Sequence, residues 1–342
     1  MKIALIIVSL LVTFNWEVQA QDFEQECESR AKVEGANVRG EDPAWFFMKR
    51  ELNHLAAGKF WEKDWTKVAV NKTDPTEHLL MFNDLLKAKG VQLIMVPVPA
   101  KAAIYPDKLA KSFSAGAAQP LKGYIDNLQA KGIKVLDIEP VLNDLRAKSG
   151  GEGGDKLYCE QDSHFSPLTA EIIAALVKKE VENESWYQAQ TKVPFKRSGK
   201  EKLTITGDQV GGFNPAPQAE VLTLTYAGKD VGGKIEPVPA DKNSPVLLLG
   251  DSHTMVFTVS NMHCQAAGLQ DQLQYELGFA IDRVSNKGSG IMQARKSLVL
   301  SRVRNESGFW DKKKVVIWVF SAREFTQSSD RMIKLPIEVP GK

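Results

Sequence analysis

The stretch that decides the fold is Pro245-Val246-Leu247-Leu248-Leu249-Gly250-Asp251-Ser252-His253-Thr254. Four consecutive apolar residues after a proline predict a short strand that is buried on both faces, as in a parallel sheet. Gly250 ends that run, and the segment from Thr254 predicts a helix over about 254–267. Ser252 is therefore expected on a strand-to-helix turn at the carboxyl edge of a sheet, near a helix N-terminus that favours negative charge. A nucleophile whose attack creates an oxyanion needs such a position.

Gly-Asp-Ser alone does not distinguish a nucleophile from a solvated serine in a capped loop. Average composition gives roughly one chance match in ten chains of this length. The functional interpretation of Ser252 therefore depends on partners elsewhere in the chain.

From Pro75 onward, strand patterns alternate with helix patterns, which predicts an α/β fold. The predicted strands are 91–98, 134–138, 246–249, 279–284 and 315–320. The predicted helices are 76–89, 120–131, 139–148, 167–182, 254–267, 270–277 and a segment that ends near 304. About five parallel strands fit one sheet. The predicted fold class is a three-layer α/β/α sandwich with a mostly parallel five-stranded sheet and a small β-rich insertion.

The same patterns divide the chain into segments. Residues 76–186 and 244–330 form the two halves of the sheet domain, 187–243 form the β-rich insertion, 150–154 form a glycine-rich loop, and 331–342 form an irregular tail. The N-terminal segment 21–75 carries six clustered aromatic residues: Trp45, Phe46, Phe47, Phe60, Trp61 and Trp65. We expect them to pack against the sheet domain; a platform for stacking on carbohydrate is the alternative.

Residues 1–20 have the form of a secretory signal peptide, with Lys2, the apolar run Ile3–Phe14 and a cleavage site predicted after Ala20. The apolar run is too short to span a bilayer comfortably, and an uncleaved N-terminal anchor is the alternative. We therefore expect an exported protein. The net charge of +2 gives no global field for nucleic acid, so that class of partner is excluded.

Three cysteines in an oxidising compartment allow at most one internal disulfide. Cys264 falls within the predicted helix 254–267, where we expect a buried small residue. Cys27 and Cys159 are therefore predicted to pair.

A serine nucleophile needs a base and a third group that orients the base. His164 is suited to be the base, because Asp162 two residues earlier can accept its Nδ1–H on a loop just before a helix. The other four histidines are expected to be structural or to point away from Ser252: His54, His78, His253 and His263.

The oxyanion is expected to bind the Ser252 N–H and a second donor. Gly288 or Gly290 could supply that donor from the loop after the next strand, although a plain turn explains these glycines equally well. Arg323 follows the last strand and could hold a substrate carboxylate or an acetyl-bearing group; an ion pair is the alternative. No spacing of His, Cys and carboxylate residues predicts a metal site, and we expect no cofactor.

These motifs resemble a known family. Gly250-Asp251-Ser252-His253 after an apolar strand, preceded in the chain by Asp162-Ser163-His164-Phe165, is similar to the SGNH-hydrolase-like domain of the alginate O-acetyltransferase type (AlgJ/AlgX, also called DHHW proteins). In that family the Asp-x-His motif likewise comes before Gly-Asp-Ser. Further similarity lies in Val96–Lys101, Thr206-Gly207-Asp208 and Trp318–Arg323, and the resemblance spans roughly residues 40–325.

The resemblance implies that Ser252 is the nucleophile, His164 the general base and Asp162 its orienting acid. It also implies periplasmic transfer of acetyl groups to polysaccharide hydroxyls through an acetyl-serine. The partners that it implies are a membrane-bound O-acyltransferase on the donor side and other exopolysaccharide secretion proteins. His253 departs from the residues that the family often has at its position. An esterase with the same triad, and a catalytically idle carbohydrate-binding scaffold, remain as alternatives.

Overall fold

The computed structural model describes residues 18–148 and 155–335. Its strands are β1 (Asn37–Arg39), β2 (Phe46–Met48), β3 (Gln92–Val98), β4 (Lys134–Val135), β5 (Lys196–Arg197), β6 (Glu201–Ile205), β7 (Glu220–Leu224), β8 (Ala227–Val231), β9 (Lys234–Glu236), β10 (Val246–Gly250), β11 (Asp282–Ser285) and β12 (Val315–Ser321).

Five of these strands form the central sheet, in the order β11-β10-β12-β3-β4, and every neighbouring pair is parallel. The register places Leu249 beside Trp318, and Trp318 beside Met95. The carboxyl ends of β3, β10, β11 and β12 therefore meet at one edge of the sheet. Loops that follow these four strands are brought together there, as in other open α/β sheets.

The helices are α1 (18–30), α2 (Lys49–Ala56), α3 (Trp65–Val68), α4 (Thr76–Ala88), α5 (Lys101–Ile104), α6 (Pro106–Leu109), α7 (Lys122–Ala130), α8 (Glu139–Lys148), α9 (Pro167–Val181), α10 (Ser185–Gln188), α11 (Leu269–Leu277), α12 (Ile291–Leu298) and α13 (Glu324–Gln327). A π-helical turn, Val299–Val303, continues α12. Within residues 18–148 and 155–335, no helix combines the length and the apolar character that crossing a membrane requires.

The sheet has a separate hydrophobic core on each face, because successive residues of a strand point to opposite sides. Leu248, Ile317 and Val319 face the core that α9 and α11 cover. Leu249 and Trp318 face the core that α4, α7 and α12 cover. The predicted three-layer α/β/α sandwich with a five-stranded parallel sheet is therefore confirmed.

Residues 187–243 contribute two small antiparallel sheets, β5-β8-β9 and β6-β7, in agreement with their alternating patterns. The predicted aromatic cluster of the N-terminal segment packs in the protein: Phe60 contacts Trp61, Trp65 and Tyr124 edge to face. Most of the predicted signal peptide (1–20), the glycine-rich loop 150–154 and the tail beyond 335 lie outside the described residues.

The helix predicted over 254–267 is wrong. A single 3-10 turn, Ser252–Thr254, follows β10, and the chain then folds back on itself. Phe257, His263 and Ala266 have left-handed backbone conformations (φ 59, 73 and 66°), which an α-helix does not accommodate. The Phe257 N–H donates to the Met262 carbonyl, and the Ala267 N–H donates to the Phe257 carbonyl. The apolar residues of this segment satisfy a helical pattern, but tertiary contacts determine its conformation.

Candidate active site

A cavity of about 750 Å³ opens at the carboxyl edge of the sheet. Ser252 follows β10, Gly288 follows β11 and Arg323 follows β12, and all three line this cavity. The loop before α9 adds Asp162, Ser163 and His164 to its wall. The volume is within the range of small-molecule sites in proteins. The structure thus brings Ser252, His164 and Asp162 together in one cavity.

Asp162 and His164 form a buried hydrogen-bonded pair. Asp162 Oδ1 lies 2.6 Å from His164 Nδ1 and also accepts the His164 backbone N–H at 3.1 Å. Burial lowers the pKa of the His164 imidazole, but the hydrogen bond and the charge of Asp162 raise it more, with smaller contributions from Asp208 and Asp251, so the pKa lies above its ordinary value. This geometry places the proton on Nδ1 of neutral His164 and leaves Nε2 as the acceptor that a general base needs.

Asp162 has a second histidine partner that the sequence analysis missed. His263 Nε2 lies 2.8 Å from Asp162 Oδ2, and His263 also lines the cavity. Burial would raise the pKa of Asp162, but the bonds from His164 and His263 outweigh it and hold that pKa well below its usual range. The Asp162 carboxylate is therefore an ion that two imidazoles stabilise. The structural role predicted for His263 is therefore incomplete, because the folded-back segment after Ser252 brings this residue to the site.

Ser252 is the half-buried first residue of the 3-10 turn. Its carbonyl accepts the N–H groups of Met255 and Val256, each at 2.9 Å. Among the described residues, neither its Oγ nor its N–H has a hydrogen-bond partner. An unbonded hydroxyl that lines the cavity, beside a free backbone N–H, meets the two requirements of a serine nucleophile and its oxyanion donor. No bond joins Ser252 Oγ to His164, and such bonds are often long before a substrate binds.

His253 and Asp251, on either side of Ser252, form a second pair of the same kind. Asp251 Oδ1 lies 3.0 Å from His253 Nδ1 and accepts the His253 N–H at 2.9 Å. Burial raises the pKa of Asp251, but the charge and the hydrogen bond of His253 lower it more, to about 2. Asp251 Oδ2 also accepts the Ser321 N–H at 2.9 Å, which anchors the serine turn to β12.

The three residues proposed to assist have different positions. Gly288 lines the cavity with a φ of +64° and open space around it. Gly290 begins α12, and a Cβ there would overlap the Glu324 carboxylate, so close packing explains this glycine. Arg323 lines the cavity, but its Nη1 pairs with Glu51 Oε1 at 2.9 Å and its Nε lies 3.6 Å from Glu324 Oε1.

Ligand atoms of Asp162, His164 and Asp208 lie within 4.8 Å of one another, a spacing that a metal ion could use. Both oxygens of Asp208 accept hydrogen bonds from Ser163, from its N–H and its Oγ, each at 2.7 Å. Both oxygens of Asp162 are bonded as well, since Oδ2 also accepts the Asp208 N–H at 3.2 Å. Protein donors thus bind the oxygens of both carboxylates. The arrangement is that of a hydrogen-bond network, in which Asp208 holds the loop that carries His164.

The predicted disulfide between Cys27 and Cys159 is not formed. Both cysteines, and the partly buried Cys264, are free thiols in the described part of the chain. Cys27 and Cys159 belong to the apolar core on one face of the sheet, and burial raises the pKa of each thiol. Cys27 and Cys159 are therefore buried small residues of the core, which is the role predicted for Cys264 alone.

The sequence is similar to that of a known family and of several named relatives. Residues 38–322 match the family described as the SGNH hydrolase-like domain of acetyltransferase AlgX. The chain is 23% identical over 306 residues to a probable alginate O-acetylase AlgJ of Pseudomonas aeruginosa, spanning 86% of this chain and 71% of that protein. It is 25% identical over 256 residues to the alginate biosynthesis protein AlgX of Pseudomonas fluorescens, spanning 72% of this chain and 50% of that protein.

Two solved structures share the fold. The O-acetyltransferase domain of Pseudomonas putida AlgJ superposes with a TM-score of 0.61 at 20% identity, over 86% of this chain and 94% of that one. Pseudomonas aeruginosa AlgX superposes with a TM-score of 0.58 at 18% identity, over 83% of this chain and 62% of that one. At these identities the structures support the architecture of the sheet domain.

Proposed function

Because the chain belongs to the family of the SGNH hydrolase-like domain of acetyltransferase AlgX, we propose that it is an exported O-acetyltransferase that acts on an alginate-like polysaccharide. The observation that carries this proposal is the meeting of Ser252 with the Asp162–His164 pair in one cavity. The names of the AlgJ and AlgX relatives supply the substrate class. A membrane-bound O-acyltransferase is the proposed source of the acetyl group.

The first half of the proposed reaction acylates the enzyme. His164 Nε2 removes the proton from Ser252 Oγ as the oxygen attacks the acetyl carbonyl carbon. The Ser252 N–H stabilises the oxyanion that forms, and the backbone N–H of Gly288, which lines the same cavity, is the proposed second donor. The carbonyl forms again when the bond to the donor's leaving group breaks, and the leaving group takes the proton from His164. Acetyl-Ser252 and neutral His164 remain.

The second half of the proposed reaction transfers the acetyl group from Ser252 to the polysaccharide and uses the same side chains. His164 removes the proton from a polysaccharide hydroxyl, whose oxygen attacks the acetyl-Ser252 carbonyl. The sugar ester forms as the bond to Ser252 Oγ breaks, and Ser252 recovers the proton from His164. Asp162 orients the imidazole and stabilises its positive charge in both halves.

Cationic side chains around the cavity favour an anionic acceptor. Lys49, Arg50 and Lys287 line the cavity together with His263 and Arg323. Among these, Lys287 is exposed and has no ion-pair partner among the described residues. Cations around a cleft raise the local concentration of anionic ligands. A uronate polymer carries one carboxylate per sugar and would benefit from such a rim.

Intact-mass analysis of the wild type, Ser252→Ala and Ser163→Ala after exposure to an activated acetyl ester tests the proposal. We expect an acetyl adduct on the wild type and on Ser163→Ala, none on Ser252→Ala, and faster loss of the adduct when oligomannuronate is added. Loss at the same rate with or without sugar would instead identify an esterase. Absence of any Ser252-dependent adduct would contradict acyl transfer and favour a binding protein.

A further inference from the structure

Lys101 is a buried cation beside the active site. It lies three residues after β3 ends, at the carboxyl edge of the sheet, and is 0% exposed. Its Nζ donates to three oxygens at 2.7 Å, the carbonyls of Phe46 and Asp162 and the Gln209 Oε1, and the Glu160 carbonyl lies at 3.3 Å. Three short bonds use all three protons of the ammonium group. Within the described residues, no carboxylate forms a salt bridge with it.

Burial of an ammonium group without a counter-ion is costly, and it lowers the pKa of Lys101. A lysine bound only by neutral oxygens therefore has a desolvation cost that no ion pair offsets, although its removal would leave buried acceptors without a donor. Its location suggests another use. Two of its four acceptors, the carbonyls of Glu160 and Asp162, belong to the loop that presents the Asp162 carboxylate to His164. A third, Gln209, directly follows Asp208, which bonds Ser163 in the same loop.

The backbone of Lys101 extends the connection toward the nucleophile. Its N–H donates to Glu51 Oε2 at 3.3 Å, and Glu51 Oε1 pairs with Arg323 at 2.9 Å. Arg323 Nη1 donates to Ser321 Oγ at 2.9 Å, and the Ser321 N–H donates to Asp251. Lys101 therefore contacts the loop that holds His164 directly. It is connected to the turn that holds Ser252 by hydrogen bonds that run through Glu51, Arg323 and Ser321.

We propose that Lys101 is a positioning residue, which holds the Asp162–His164 pair in register with Ser252 by binding the main chain of their loop. It contacts no reacting atom. The kinetic part of its test rests on the proposed acyl transfer, while the spectroscopic part does not.

Lys313 provides a matched control. It is also buried, and its Nζ donates to the carbonyls of Lys242 and Ser244 and to Asp282. It precedes β12, however, at the amino edge of the sheet and away from the cavity. Lys101→Met and Lys313→Met thus remove the same group from similar burial, and both are expected to lower the melting temperature.

The two variants should differ at the site. A misplacement of about 1 Å can cost on the order of 100-fold in rate, so we expect Ser252 acylation by an activated acetyl ester to fall by about that factor in Lys101→Met. In Lys313→Met we expect the wild-type rate. The low-field proton resonance of the His164 Nδ1–H, assigned by its loss in both Asp162→Asn and His164→Gln, should weaken or disappear in Lys101→Met and persist in Lys313→Met.

A second pair of measurements covers the case in which Lys101→Met does not fold. Gln209→Leu keeps the lysine and removes one acceptor, and it should shift the His164 resonance in the same direction by less. Lys101→Ala should regain acylation when propylammonium is added, but not with propanol. An unchanged resonance in Lys101→Met or Gln209→Leu, or equal acylation by Lys101→Met and Lys313→Met, would overturn the role of Lys101. Absence of Ser252 acylation in the wild type would instead contradict the proposed function.

Discussion

His164 and His253 meet edge to face, with ring centroids 5.0 Å apart and ring planes at 66°. Each histidine belongs to an Asp-Ser-His tripeptide. Its backbone N–H and its ring Nδ1 both bond the aspartate two residues earlier. The same local turn therefore occurs twice, and the two copies pack against each other. One copy carries the proposed base, His164, and the other carries the proposed nucleophile, Ser252.

The two serines at the centres of these turns differ in what binds them. Ser163 is buried, and its Oγ donates to Asp208 Oδ2 at 2.7 Å. Ser252 is half-buried and lines the cavity with a hydroxyl that no described residue binds. A nucleophile must be free to approach a substrate, and only the second serine meets that condition.

Replacement of His253 should weaken the fold. His253→Phe keeps a ring beside His164 but leaves the buried Asp251 with fewer donors, which should cost about 1–3 kcal/mol of unfolding free energy. The pKa of Asp251, about 2 in the wild type, should rise in the variant. A carboxyl whose folded pKa is depressed stabilises the fold above its unfolded pKa and loses that contribution as the pH falls toward the folded value. The stability difference in urea unfolding should therefore shrink from pH 6 toward pH 3; a constant difference would contradict this account.

The rate of Ser252 acylation should rise with pH as His164 loses its proton. Since Asp162 raises the pKa of His164 against the effect of burial, the midpoint should lie above that of an ordinary histidine. In Asp162→Asn only the smaller contributions of Asp208 and Asp251 oppose the effect of burial on the pKa of His164, so the midpoint should move to lower pH while the plateau rate falls. Rates of acyl-ester consumption from pH 5 to 9 measure both. A midpoint that does not move would show that Asp162 does not act on the base.

Much of this arrangement could be predicted because it is local in the sequence. The strand before Ser252, the Asp162–His164 pair and the helix after it each depend on residues a few positions apart. The contact of His263 with Asp162 joins residues 101 positions apart. It depends on a folded-back segment whose apolar spacing imitates a helix, so periodicity gave no signal for it. Lys101 lies within a stretch that resembles a family motif, but nothing in the sequence indicates that its charge is buried.

The disulfide prediction failed for a related reason. Counting cysteines establishes which pairs are allowed in an oxidising compartment, whereas pairing requires that two Cα atoms lie within about 7 Å with suitable side-chain directions. The core positions of Cys27 and Cys159 follow from packing, which a cysteine count does not describe.

Gly207 should tolerate no side chain. A Cβ at Gly207 would overlap the backbone carbonyl of Gln161, beside Asp162, so Gly207→Ala must displace one of the two loops around the base. We expect a large loss of Ser252 acylation with a destabilisation of about 1–3 kcal/mol. Gly211→Ala is the control, because nothing lies within 4 Å of a Cβ at that position. If the two alanine variants acylate at the same rate, close packing of these loops is not required for activity.

Reversal of the charge at Lys287 should weaken the use of an anionic acceptor and leave acylation intact. Lys287 is an exposed residue of the cavity wall and a neutral ester carries no charge for it to attract, so the rate of Ser252 acylation by such an ester should not change. The oligomannuronate concentration that gives half-maximal deacylation should rise severalfold in Lys287→Glu, because exposed ion pairs contribute about 0.2–1 kcal/mol each. The difference should diminish at high salt, where surface charges are screened.

Lys242→Glu makes the same change at an exposed residue near the amino edge of the sheet and should match the wild type. An equal effect of both variants would indicate a response to net charge, and no effect of either would show that the rim does not select an anionic polymer.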